Sequence, residues 1–317
     1  MINDKRILVV DGENLLHRSY WAALPTWKDI KKEMYVYYFF NSLRSYIRIF
    51  QPTSIVCTWD YRDEGMSNHR KEILSEYKGN RVFNEEVHEF AEDIRIMLNC
   101  LGIIQIHPLN READDIIYWL GAVKFPGKCS IVTTDTDMYQ LIMPEMSGNI
   151  IWNPKKKIEV NPVYLKTNFD VDNGYQYIIK KAIRGDSSDN ISGIRGMRSS
   201  KIKQVIESLG ENYDFQALGE SGVLSEEHIA ILTRNLDVMR LDKLLEHSTE
   251  MEYYETQLNE TPKINKELFR TYIKKFQFLE ILKKFESWFK SLSLEKSREH
   301  RSHFDYTEIL LSNVNFH

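Results

Sequence analysis

Residues 110–120 read NREADDIIYWL, which puts Glu112, Asp114 and Asp115 within four positions at the start of an apolar run. Acidic side chains in a first helical turn gain a few tenths to about 1 kcal/mol from the helix dipole, enough to explain one or two of them. Three crowded carboxylates repel one another, and partial burial raises their pKa values unless a cation lies between them. A bound divalent metal accounts for the whole group. Asp11, Asp60, Asp135 and Asp137 are further carboxylates placed where such an ion could be shared, and Asp186 with Asp189 are spaced i, i+3, so that at a helix start they would point the same way.

Strands must carry those aspartates to one place. RILVV at 6–10, SIVCT at 54–58 and SIVT at 130–133 are short runs rich in Ile and Val, each followed by an Asp. Stretches with helical spacing lie between them, at 35–50 and 85–101, and IIQI at 103–106 reads as a further strand. Strand and helix in alternation predict a parallel sheet with helices on its faces, whose ligands bind beyond the carboxyl ends of the strands. Single aspartates there would serve as turn formers or caps; three at equivalent strand ends converge. WNPKKKIEVNP reads as a short hairpin or edge strand, and beyond it the chain is read as mostly helical. A boundary is placed near 161–169, with 175–184 packing back on the first part.

A polyanion could approach such an acidic pocket only beside positive charge. NHRKEILSEYKGNR, at 68–81, supplies Arg70, Lys71, Lys78 and Arg81 around Tyr77, and Lys78 with Arg81 would share one helical face and bracket a phosphate. The second basic segment is SGIRGMRSSKIK, at 192–203. Glycines at Gly193 and Gly196 would let backbone amides approach a phosphate ahead of a basic amphipathic helix at 199–209. That is the logic of a helix-hairpin-helix.

EYKGNR, READD, TTDTDMYQL and KAIRGDSSDNISGIRG together resemble, in order and spacing, the flap endonuclease or 5′-3′ exonuclease family. The likeness is to stand-alone enzymes of tailed bacteriophages and to the 5′ nuclease domain of bacterial DNA polymerase I, and it covers about residues 7–245. It implies an α/β fold with a PIN-like parallel-sheet nuclease core over 1–165, a helical arch at about 65–90, a helix-hairpin-helix region over 166–260 that completes the active site, and a helical extension and tail over 261–317. Asp11, Asp60, Glu112 and Asp114 then match one metal cluster, and Asp115, Asp135, Asp137, Asp186 and Asp189 the ligands and surroundings of the other. Lys78 and Arg81 match the catalytic basic residues at the base of the arch, with Arg70 and Tyr77 as DNA-binding neighbours. Gly193, Arg195, Gly196, Arg198, Ser199, Lys201 and Lys203 match a segment that binds duplex DNA and, in many members, potassium. Here Gly196-Met197-Arg198 replaces the usual Gly-Ile-Gly, which counts against K⁺ and suggests that Arg198 contacts phosphate instead.

The implied activity is structure-specific, metal-dependent hydrolysis of phosphodiesters in DNA flaps, in RNA or DNA 5′ ends and in RNA–DNA hybrids, during replication, primer removal and repair. Hard oxygen ligands suit two Mg²⁺ ions, with Mn²⁺ as a substitute, and argue against zinc in that set. A catalytically silent branched-DNA-binding protein and a PIN-type ribonuclease share parts of the pattern; the ribonuclease would be shorter and would lack the helix-hairpin-helix.

The 317 residues are 42% apolar and 28% charged, with a net charge of −4, which excludes a dominant disordered composition. The start, MINDKRILVVDGEN, reads as neither signal peptide nor membrane span, so a cytoplasmic protein is expected; a monomer is expected as well. Cys57, Cys100 and Cys129 suit reduced core thiols. Residues 266–292 are expected to form a long amphipathic helix or helix pair whose aromatic stripe packs internally. The tail at 293–317 is read as a docking peptide for a single-strand-binding protein or clamp, or as a partly ordered terminus.

Overall fold

Ile7, Leu8, Val9 and Val10 are all buried, as expected of a strand covered on both faces, where β-branched side chains run without polar alternation. The computed structural model describes residues 6–26, 32–60, 69–109, 111–243, 248–260 and 262–293. From the amino end β1 (Ile7–Asp11) leads into α1 (Gly12–Ala23), then α2 (Met34–Phe50), β2 (Ser54–Thr58) and the short α3 (His69–Ile73). Next come α4 (Glu85–His88), α5 (Ala91–Cys100), β3 (Ile104–Ile106), α6 (Ala113–Trp119) and β4 (Cys129–Val132). β5 (Ile150–Asn153) and β6 (Ile158–Val160) precede α7 (Pro162–Phe169), α8 (Gly174–Arg184), β7 (Gly185–Asp186) and β8 (Ile191–Ser192). The remainder is helical: α9 (Ser199–Leu209), α10 (Phe215–Glu220), α11 (Glu226–Met239), α12 (Ser248–Asn259), α13 (Lys266–Lys275), α14 (Leu279–Lys283) and α15 (Phe285–Leu292).

Two compact units are assembled from interleaved segments: Met1–Thr58, Glu85–Ile106 and Glu255–His317 form one, Trp59–Asn84 and His107–Tyr254 the other. In the first, β2 lies parallel to both β1 and β3, with Ile7 opposite Ser54 and Val56 opposite Ile104. Asp11 ends β1 and caps α1, accepting a hydrogen bond from the Asn14 amide at 2.9 Å. The stretch expected as one helix over 85–101 is two, α4 and α5. The aromatic stripe of the carboxyl-terminal helices is core, as expected: Phe269 packs on Phe40, Trp288 and Phe289, with ring centroids 5.6, 5.9 and 5.4 Å away. Burying each such side chain contributes roughly 1.5–3 kcal/mol. The single helix or pair expected there is three helices, interrupted where Gln277 takes a left-handed φ of 56° and again at Lys284.

In the second unit β4 and β5 are parallel and β6 turns back antiparallel on β5, so the expected hairpin is present. The Asn153 side chain accepts hydrogen bonds from the Lys155 and Lys156 amides and closes its turn. A second apolar cluster joins Ile178, Ile179 and Ile183 of α8 to Ile202 and Val205 of α9 and to Leu232 and Leu236 of α11. α8, its buried face set by that cluster, delivers its last turn to the acidic residues. Cys57, Cys100 and Cys129 are buried and in no disulfide among the described residues. Among the described residues no helix is long and apolar enough to cross a membrane. The first part of the expected arch, 65–68, and the tail from 294 lie outside the described residues.

Candidate metal centre

The acidic site of the second unit begins where α6 starts. Glu112 is its N-cap and makes a reciprocal capping box with Asp115, whose carboxylate accepts from the Glu112 amide at 3.2 Å. The next amide, Ala113, donates to Asp60 at 2.9 Å, tying the residue two positions past β2 to the same helix end. Local capping thus fixes three carboxylates before any ligand is considered. Past β4, the Asp135 amide donates to Thr133 and the Asp137 amide to Asp135 Oδ1, at 3.0 and 2.8 Å, so successive turns aim both aspartates. Oxygen atoms of Asp114, Asp135 and Asp137 lie within 4.8 Å of one another.

Four cations are threaded among these groups. Arg70 forks onto both oxygens of Asp115 at 2.9 and 2.6 Å, reaches Glu112 at 3.1 Å, and donates its Nε to the Val238 carbonyl. Lys78 meets Glu112 at 2.7 Å, while Tyr77 donates its hydroxyl to the same carboxylate at 2.9 Å. Lys181 bridges Asp137 and Asp186, the latter at 2.8 Å, and Arg81 pairs with Asp189. Asp186 also accepts from the amide and hydroxyl of Ser188.

These contacts set the charge states. Burial alone would raise the Glu112 carboxyl, but Lys78 and then Arg70 outweigh it and hold it down at about 2. Burial would lower the Lys78 ammonium; Glu112 and Asp60 more than offset this and raise it. Lys181 is likewise raised, chiefly by Asp137 against burial. Asp135 goes the other way: burial, then the adjacent Asp137 carboxylate, push it up to about 6.

Several expected residues stand elsewhere than the sequence suggested. Arg70 and Tyr77, read as DNA contacts, are only 2% and 4% exposed and serve the carboxylates instead. Their polar ends are consumed by Asp115 and Glu112. Lys78 and Arg81 do not share a helical face: α3 stops at Ile73, and Lys78 adopts a left-handed φ of 53° in a run of turns, its amide donating to the Asp189 carbonyl. Gly79 and Asn80 next to it favour turn over helix. Asp186 and Asp189 belong to the β7–β8 turn rather than to a helix start. Asp115 is paired through both carboxylate oxygens with Arg70. Asp11 is placed in the first unit.

In the basic turn, Arg195, Gly196, Arg198, Ser199 and Lys203 are exposed and Lys201 is half-buried. Gly196 has a left-handed φ of 73° with open space around it, as expected of a backbone left free to be approached. Gly193 differs: a Cβ there would meet the Arg184 carbonyl oxygen at 2.2 Å, so its lack of side chain serves packing against the end of α8. Lys203 is paired with Asp170 at 2.9 Å. Sequence reasoning passed over Lys181; its only signal was a lysine five positions ahead of Asp186 on the strongly amphipathic α8.

An all-oxygen set with one carboxyl raised by its neighbour fits a hard divalent ion. Comparison with known proteins bears on what such a set does. The family described as 5′-3′ exonuclease, N-terminal resolvase-like domain, matches residues 6–170. A 5′-3′ exonuclease of Bacillus subtilis is 29% identical over 245 residues, spanning 71% of this chain and 79% of that protein. One of Halalkalibacterium halodurans is 31% identical over 222 residues, spanning 64% and 70%. DNA polymerase I of Lactococcus lactis is 29% identical over 259 residues, but the match spans only 29% of that protein. Among solved structures, phage T5 5′-exonuclease with bound zinc covers 82% of this chain and all of its own, with a TM-score of 0.64 at 20% identity, a likeness of fold.

Proposed function

Because the chain belongs to the 5′-3′ exonuclease family, we propose that its acidic site hydrolyses phosphodiester bonds at DNA flaps and at RNA or DNA 5′ ends, using two Mg²⁺ ions for which Mn²⁺ substitutes. The observation that carries this is the charge balance among the described residues of the second unit. Asp60, Glu112, Asp114, Asp115, Asp135, Asp137, Asp186 and Asp189 face Arg70, Lys78, Arg81 and Lys181, which leaves an excess of four negative charges when all are ionised. Two divalent ions would neutralise it.

Asp114, Asp135 and Asp137 are the residues that would hold the ions, with Asp60, Asp186 and Asp189 in the same unit. The chemistry divalent ions supply to such a set is an activated water at neutral pH and stabilisation of charge on the leaving 3′ oxygen. The protein's own groups do the rest. Lys78 and Lys181, both raised, stay cationic at neutral pH and therefore act on the scissile phosphate as fixed positive charges, not as proton acceptors. Arg81, about half exposed, is placed to exchange Asp189 for an incoming phosphate. Arg70, bound to Asp115 and Glu112, preorganises the start of α6. Arg195 and Arg198, on the exposed turn before α9, contact the duplex backbone, with the open space at Gly196 letting that backbone approach.

Cleavage of a 5′-labelled flap in Mg²⁺ and in EDTA tests the proposal. Metal-dependent cutting near the junction is the expected result. Tight flap binding without cutting in any divalent metal would assign the protein to branched-DNA binding, and cutting confined to RNA without structure preference would assign it to the PIN-type ribonucleases.

A further inference from the structure

A second cluster of ligating side chains lies in the first unit. Glu13 and His17, one turn apart on α1, meet His88 at the end of α4. Glu13 Oε1 lies 3.3 Å from His17 Nε2 and 3.6 Å from His88 Nε2, and the three ligating atoms fall within 4.8 Å of one another.

Those spacings discriminate between a hydrogen-bonded trio and a ligand set. A hydrogen bond to nitrogen centres on about 2.9–3.0 Å, so 3.6 Å is too long for one. Zinc bonds of about 2.0–2.1 Å in a tetrahedron place neighbouring ligand atoms about 3.3 Å apart, close to the separations of both imidazoles from the carboxylate. The two imidazole rings are set edge to face, 5.4 Å between centroids and 70° between planes, while both present Nε2 to one carboxylate oxygen.

The surroundings hold this geometry. Tyr20 donates its hydroxyl to Glu86 at 2.6 Å, and Glu89 pairs with Lys32, so residues on either side of His88 are anchored to neighbouring parts of the unit. The Glu13 and His88 side chains are each 11% exposed, whereas that of His17 is 42% exposed and leaves the cluster open on one side.

We propose that Glu13, His17 and His88 bind one borderline divalent cation of the zinc class, with water completing the tetrahedron, and that the ion fastens α4 to α1. Two nitrogen donors favour Zn²⁺, Co²⁺ or Ni²⁺ over Mg²⁺, the reverse of the all-oxygen site. The assignment does not depend on nuclease activity.

The test uses the full chain, stripped by a chelator and then titrated with Zn²⁺ while Mg²⁺ is held in large excess. One zinc equivalent should bind, persist in Asp135→Asn, and raise the melting temperature. Its affinity should fall at least about tenfold in His17→Asn and in His88→Asn. With Co²⁺ in place of zinc, the visible absorption of a four-coordinate site should appear in the intact chain and vanish in both variants. Should His88→Asn fail to fold in chelator, the part-exposed His17→Asn carries the test. Zinc binding lost in Asp135→Asn but unchanged in the histidine variants would overturn the proposal, as would no zinc retained against Mg²⁺.

Discussion

Glu112 and Asp135 sit in one acidic site, yet their carboxyls are displaced in opposite directions, to about 2 and to about 6. Burial raises both. The difference lies in what the chain supplies next: Glu112 is met by Lys78, Arg70 and Tyr77, whereas the largest charge acting on Asp135 is another carboxylate, Asp137. One end of the site is therefore a finished internal structure, satisfied by its own cations. At the other, Lys181 and Lys78 only partly offset what burial and Asp137 do to Asp135, so its carboxyl stays raised.

Removing a cation from the finished end should have the largest effect. Arg70→Met leaves Asp115 and Glu112 buried against a thioether, and breaking a buried pair of this kind costs about 3–5 kcal/mol. Denaturant unfolding should show that loss, and a change under about 1 kcal/mol would mean that Arg70 is not holding the site together. At the deficient end, Asp135→Asn should lower flap cleavage by about 10³-fold with flap affinity nearly unchanged. Equal loss of binding and cleavage would argue that Asp135 serves substrate binding.

Lys78→Ala sits between the two ends, because its ammonium meets Glu112 while also feeling Asp60, Asp114 and Asp189. Single-turnover cleavage should fall about 10²-fold, with a stability loss smaller than that of Arg70→Met because Arg70 and Tyr77 still meet Glu112, and normal turnover would remove Lys78 from the chemistry.

The smallest effect is that of pH on metal affinity. A carboxyl raised to about 6 is protonated below that pH, so an ion must displace the proton there and meets no such competition above it. Mg²⁺ affinity by calorimetry should be flat above about pH 7 and weaken by up to about tenfold per unit below 6, whereas a flat profile down to pH 5 would show that Asp135 is not a ligand. Glu112 behaves oppositely in stability: its contribution is complete above its ordinary 4.5 and is lost as pH falls toward 2.

Much of this was legible in the sequence because residue type and strand ends are local properties. Strands expected at 54–58, 103–106 and 130–133 are observed at Ser54–Thr58, Ile104–Ile106 and Cys129–Val132, and the aspartates that follow them were read from that pattern. Cations were less readable, since a lysine or arginine looks alike whether solvated or folded inward. Arg70 reads as part of a basic surface until the fold sets it against Asp115, forty-five positions away. Lys78 reads as helical because nothing short of the Asp189 carbonyl shows where its turn is anchored. His88 has no sequence neighbour that marks it as a ligand; only the packing of α4 on α1 brings it to Glu13 and His17.

The central claim, that the charge deficit is filled by two divalent ions which together enable cleavage, is met most directly by the single-turnover rate of flap cleavage as a function of free Mg²⁺. A rate rising with about the second power of Mg²⁺ at low concentration, and no cleavage in EDTA, is the predicted result. A first-power rise would leave the deficit to a single ion, and cleavage persisting in EDTA would contradict the account outright.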